Sequence, residues 1–188
     1  ILIFSLIVIG VLSILEFMNL IKKIKFRDYT TFFLNFFFIT YIFVFCTFFY
    51  IFTQLPHLEI LLFVTLLGCI ASDIGGFVIG KIFKGPRLTK ISPNKTISGA
   101  FGSVLLTILT FMTLLYYYTN IISINVFIVG LVTSVACQLG DLLFSFLKRK
   151  AKIKDTGNFL PGHGGFLDRL DGIFFGTPVG LITFILAF

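Results

Sequence analysis

Six long apolar runs, joined by connections that are either strongly basic or free of cations, decide what this chain can fold into. They cover residues 1–21, 29–52, 60–80, 98–118, 121–147 and 172–188. Each reaches or approaches the ~20 residues that a helix needs to cross a bilayer. With 57% hydrophobic and 12% charged residues and a mean hydropathy of +1.07, a soluble domain is excluded. Strands with open edges would leave backbone groups unpaired in lipid. The expected fold is therefore all-α, a polytopic transmembrane bundle of six spans forming one integral membrane domain over residues 1–188. It divides into an N-terminal helical hairpin, 1–59, and a core, 60–188. The first run has no basic segment before it and no small-residue cleavage site after it, so it is not taken as a signal peptide. The chain starts at Ile1 without a methionine, and upstream residues, further spans included, are expected.

The charges fix the expected topology. All 15 Lys and Arg fall within residues 22–27, 81–95 and 148–169, while the connections 53–59 and 119–121 hold none. By the positive-inside rule the three basic loops are cytoplasmic and both ends of the chain lie on the far side. The net charge of +7 then marks membrane orientation, and no nucleic-acid partner is expected. The three cysteines, Cys46, Cys69 and Cys137, sit in apolar runs and read as small packing residues. The phenylalanines of 29–52 would cover nearly every face of a helix and read as lipid-facing or packing surface. Glu16, near the cytoplasmic end of the first run, is expected to reach the interface or to pair with Lys22 or Lys23.

Polar residues inside the runs are costly and mark function by default. Asp73 lies within 60–80 among Gly68, Ala71, Ser72, Gly75, Gly76 and Gly80, small residues that allow close helix approach. Asp141 lies seven residues before Lys148, as Asp73 lies eight before Lys81. At ~1.5 Å rise per residue both are roughly 10–12 Å inside the cytoplasmic boundary, which implies a shared polar cavity. Ser134, Cys137, Gln138 and Ser145 fall on the Asp141 face at helical spacing. The basic loop before residue 98 contains Ser92-Pro93-Asn94, a turn signal. It resembles a phosphate-gripping turn, with Thr96 or Ser98 placed to cap the next helix toward an anion.

The stretch 145–171, SFLKRKAKIKDTGNFLPGHGGFLDRLD, gathers Lys148, Arg149, Lys150, Lys152, Lys154 and Arg169 with Asp155, Asp168, Asp171 and His163. Such a loop suits a polyanion and a divalent cation. Asp168 and Asp171 share one face of a helix starting near Gly165. With Asp141 they could form an open Mg²⁺ site that keeps waters and phosphate oxygens; the alternative is simple pairing with local lysines.

At these residues the chain resembles the phosphatidate cytidylyltransferase (CDP-diacylglycerol synthase) family. The family's signature is met at Ser145, Leu147, Lys148, Arg149, Lys154, Asp155, Gly157, Leu160, Pro161, His163, Gly164, Gly165, Phe166, Asp168, Arg169, Leu170 and Asp171. The segments SDIGGFVIGKIFKG, ISPNKT and QLGDL are also similar, so the resemblance covers about residues 60–180. Ser98 stands where members usually carry an acid, and members commonly have extra N-terminal spans.

What the resemblance implies is transfer of the cytidylyl group of CTP to phosphatidate, giving CDP-diacylglycerol and pyrophosphate, with the core 60–188 catalytic. The implied cofactor is Mg²⁺ held by Asp141, Asp168 and Asp171, with a second cation such as K⁺ near Asp73. Lys148, Arg169 and His163 join those three aspartates as expected catalytic residues. Ser92, Asn94, Lys95, Thr96, Arg149, Lys154 and Asp73 are expected to bind substrate. The implied setting is a bacterial-type plasma membrane with the active site facing the cytoplasm, and a homodimer fits the small-residue helix faces. A CDP-alcohol phosphotransferase lacks support, because neither an Ala-Arg pair after the aspartates nor a second pair downstream is found. A CTP-dependent lipid kinase would differ in the phosphorus attacked. A cation-coupled transporter would explain Asp73 and Asp141, but no acid lies in the outer half of any span.

Overall fold

A computed structural model of the chain describes residues 1–89, 91–120, 123–157 and 164–188. Among these, six helices form: α1 (Leu2–Ile24), α2 (Asp28–Gln54), α3 (Pro56–Phe83), α4 (Ile97–Thr119), α5 (Ile124–Lys150) and α6 (Leu167–Ala187). Arg87 and Thr96 form an isolated antiparallel β-bridge. All six helices are long and apolar enough to cross a membrane. The all-α reading holds, and the chain is a membrane protein.

The helix ends follow local chemistry rather than hydropathy alone. Pro56 opens α3 four residues before the apolar run, since a proline at the first helical position loses no hydrogen bond there. Lys25 ends α1 in a left-handed conformation at φ 55°. Of the two residues expected to cap α4, Thr96 does so: its Oγ1 accepts the Gly99 N–H at 3.1 Å. Ser98 instead donates to the Lys84 carbonyl and shares a 3.0 Å hydrogen bond with Thr96.

Two close helix pairs build the core. α3 packs on α4 and α5 on α6 more extensively than any other pairs. Both contacts depend on glycines that let backbones meet. A methyl on Gly99 would stand 2.7 Å from the Gly76 carbonyl oxygen, and one on Gly102 2.7 Å from that of Gly75. On α6, Gly172, Gly176 and Gly180 recur every fourth residue. Gly176 faces Cys137 and Cys69, while Gly180 faces Thr133 and Thr65, which seats α6 between α5 and α3. Cys69 and Cys137 are buried and free, as packing residues would be.

α1 and α2 attach through aromatic packing. Phe17 and Phe38 stack with centroids 3.8 Å apart, and Phe144 of α5 meets both edge-on. Tyr41 donates to the Phe174 carbonyl, tying α2 to α6. Phe32, Phe33, Phe36, Phe37 and Phe43 point outward, whereas Phe38, Phe45 and Phe52 are buried, so the phenylalanine-rich helix serves both lipid and core.

Candidate active site

The polar residues converge on one cleft of about 480 Å³ between α3, α4, α5 and the start of α6. Each wall has a local cause. Asp73 reaches it from α3, beside the Gly75–Gly76 crossing that brings α4 close. Gly140 packs directly on the Asp171 backbone, with a methyl there only 2.7 Å from the Asp171 carbonyl oxygen, so neighbouring Asp141 is carried to the same cleft.

The loop before α4 forms the rim. Lys95 N–H donates to the Ser92 carbonyl at 3.1 Å, closing the turn that Pro93 and Asn94 announce. Leu88 N–H donates to the Lys95 carbonyl at 2.7 Å and Ile97 N–H to that of Pro86 at 3.1 Å. This small hairpin holds Ser92, Asn94, Lys95 and Thr96 over the cleft.

Charge inside the cleft is paired across elements. Lys95 forms an ion pair with Asp141. Lys148 Nζ lies 2.7 Å from Asp168 Oδ1 and 3.7 Å from Asp171 Oδ2, all three side chains being nearly out of solvent. Asp168 Oδ2 accepts the Thr156 N–H at 2.8 Å and the Gly165 N–H at 3.0 Å, and lies 3.1 Å from the Thr156 hydroxyl oxygen. Asp171, 7% exposed, accepts its neighbour Gly172 N–H at 2.8 Å. Gln138 also lines the cleft and donates to the Ala100 carbonyl and to Ser134, each at 3.3 Å, so the polar stripe of α5 faces α4 rather than lipid.

Ten expected site residues therefore meet: Asp73, Ser92, Asn94, Lys95, Thr96, Asp141, Lys148, Asp168, Arg169 and Asp171 all line the cleft. Arg149 and Lys154 do not; both are exposed outside it. Arg149 follows Lys148 on the same helix and so points about 100° away. His163, Leu160 and Pro161 of the motif lie outside the described residues, as does Lys90. Asp155 adds a wall, and Gly164 packs beside it at φ +84°, a conformation that L side chains rarely adopt.

Glu16 needs a correction. It neither reaches the interface nor pairs with Lys22 or Lys23, but is 2% exposed. It accepts hydrogen bonds from the Thr156 hydroxyl at 2.8 Å, Phe166 N–H at 2.9 Å and Leu167 N–H at 2.8 Å. A buried acid survives only with such partners, and these lie 140 to 151 residues away in sequence.

Among the described residues, no group of three or more His, Cys, Asp or Glu is set to hold a metal ion by itself. A hard dication that takes one or two carboxylates and fills the rest with water and phosphate needs no such group, and Asp141 and Asp171 on one cleft fit that requirement.

The phosphatidate cytidylyltransferase of Synechocystis is 41% identical over 125 residues, 63% of this chain and 42% of that protein. That of Rickettsia felis is 42% identical over 123 residues, 59% of this chain and 53% of that protein. That of Helicobacter pylori is 44% identical over 109 residues, 57% of this chain and 41% of that protein. The chain spans about half the length of these curated relatives. The model of the cytidylyltransferase family matches residues 1–187, essentially the whole chain. That match, from one end of the chain to the other, shows that this chain belongs to the cytidylyltransferase family.

Proposed function

We propose that the protein transfers the cytidylyl group of CTP to phosphatidate. The observation that carries this reading is the single cleft in which Asp73, Asp141 and Asp171 face Lys95, Lys148 and Arg169, in a chain whose relatives carry that name. A phosphate oxygen of phosphatidate attacks the α-phosphorus of CTP; the bond from that phosphorus to the β-bridging oxygen breaks, and pyrophosphate leaves. A phosphomonoester has its second pKa near ~6, so the nucleophile is largely dianionic at neutral pH and requires no strong base. The obstacle is the meeting of two polyanions. Lys95 and Lys148 supply point charges, and Arg169 a planar fork suited to phosphate. Ser92, Asn94 and Thr96 seat the nucleotide on the rim.

Mg²⁺ bound with CTP supplies charge neutralisation and alignment at the reacting phosphates. Asp141, Asp168 and Asp171 are the carboxylates that would hold it, Asp168 through Oδ1 alone because Oδ2 is taken by the Thr156 and Gly165 N–H groups. Asp73 stands where a second cation such as K⁺ would be held. Binding of the two substrates frees Lys95 and Lys148 to exchange carboxylate for phosphate.

The basic connections between α1 and α2, α3 and α4, and α5 and α6 support a cleft facing the cytoplasm from a bacterial-type plasma membrane, where CTP is available. The test is to give the purified protein phosphatidate, Mg²⁺ and each nucleoside triphosphate in turn. Pyrophosphate release with CTP is expected. Equal release with ATP or GTP, or none, contradicts the reading.

A further inference from the structure

We infer that Glu16, a residue of α1 outside the cleft, is the positioning residue that holds Thr156, the start of α6 and, through them, Asp168 in place. Its carboxylate grips Thr156 on one side and Phe166 and Leu167 on the other. Oε2 accepts the Thr156 hydroxyl at 2.8 Å and the Leu167 N–H at 2.8 Å, while Oε1 accepts the Phe166 N–H at 2.9 Å. Phe166 and Leu167 begin α6, so a negative charge there also favours the helix start. Thr156 is the shared element. Its hydroxyl lies between Glu16 Oε2 and Asp168 Oδ2, at 2.8 and 3.1 Å, and its N–H donates to the same Asp168 oxygen. A hydroxyl has one proton; the shorter contact directs it to Glu16, and this fixes Thr156 so that its N–H points at Asp168. Asp168 in turn holds Lys148 at 2.7 Å. The chain Glu16, Thr156, Asp168, Lys148 thus runs from the N-terminal hairpin to the middle of the cleft.

Space around Glu16 is as restricted as its hydrogen bonds. A methyl on Gly157 would lie 2.5 Å from Glu16 Oε1, and one on Gly165 2.6 Å from Oε2. The carboxylate occupies a fitted slot between two glycines, and α1 has a task beyond filling the bilayer. No contact of Glu16 with substrate is implied; it acts through Asp168.

The test uses Glu16→Gln in the full chain, purified in detergent, with two readouts. Hydrogen exchange at the Phe166 and Leu167 amides reports the grip directly, and the variant is expected to lose protection that the unaltered protein has. Steady-state kinetics rest on the cytidylyltransferase reading. There kcat is expected to fall about tenfold to a hundredfold, as when the partner of a working carboxylate is removed, while KM for phosphatidate stays near its starting value. Thr156→Val should lower kcat less in the Glu16→Gln background than in the unaltered one, because neighbours in one network are not additive. Thr156→Ser, which keeps the hydroxyl, should restore activity. Unchanged exchange, or unchanged kcat with lost protection, overturns the inference. If the unaltered protein fails to turn over CTP with phosphatidate, the function falls, and exchange alone still decides whether Glu16 holds the start of α6.

Discussion

Gly140 of α5 lies against the backbone carbonyl of Asp171 on α6, with a methyl there only 2.7 Å from that oxygen and 2.9 Å from Phe175 Cβ. This contact sets the distance between the helices carrying Asp141 and Asp171. Gly140→Ala forces them apart and is expected to cost about 1–3 kcal/mol, the usual price of overpacking. Activity should fall with the apparent melting temperature in detergent. Gly10→Ala, whose added methyl meets Ile42 Cγ2 at 3.3 Å far from the cleft, should leave turnover close to unchanged.

Lys148 is the shared counter-charge of two buried acids. Lys148→Met strands Asp168 and Asp171 without it, and breaking a buried pair in this way costs about 3 kcal/mol or more. A lower melting temperature and loss of turnover are expected together. Lys148→Arg keeps the charge and should recover more stability than activity, since a fork replaces a point charge.

Thr96 has two tasks, capping α4 and shaping the rim beside Lys95. Thr96→Ala should cost about 1 kcal/mol of stability through the lost cap and raise KM for CTP. Thr96→Ser retains the oxygen and should behave like the unaltered protein in both measurements.

Removal of divalent cations with EDTA should abolish turnover, and Mg²⁺ should restore it. Asp141→Asn and Asp171→Asn should each shift the Mg²⁺ concentration needed for half-maximal rate upward while the helices remain folded, which circular dichroism checks. Activity that survives both substitutions removes these aspartates from the metal site.

Much of this arrangement was legible in the sequence because membranes simplify the problem. Hydrocarbon runs of helix length must be helices, and isolated acids within them must face one another or a cavity. Asp73 and Asp141 were found that way, Asp168 and Asp171 from their three-residue spacing in the charged stretch 145–171, and Thr96 from its place before an apolar run. Helix ends were less legible. The last apolar run starts only at Gly172, whereas α6 begins at Leu167, close to the start near Gly165 expected from the Asp168–Asp171 spacing; the N–H groups of Gly165, Phe166 and Leu167 donate to Asp168 and Glu16, bonds that hydropathy does not register. Glu16 itself was misjudged for a related reason: its near neighbours Lys22 and Lys23 offered a local partner, whereas its true partners lie more than a hundred residues away. The exposure of Arg149 and Lys154 could not be separated from that of Lys148 by charge alone; helix rotation turns Arg149 away, and Lys154 lies beyond the end of α5.

The most direct measurement of the central claim follows isotope from CTP into lipid. With purified protein, phosphatidate and Mg²⁺, label at the α-phosphate of CTP should appear in the lipid product and label at the γ-phosphate in released pyrophosphate. Transfer of γ-label to lipid, or α-label that never leaves the aqueous phase, would contradict it.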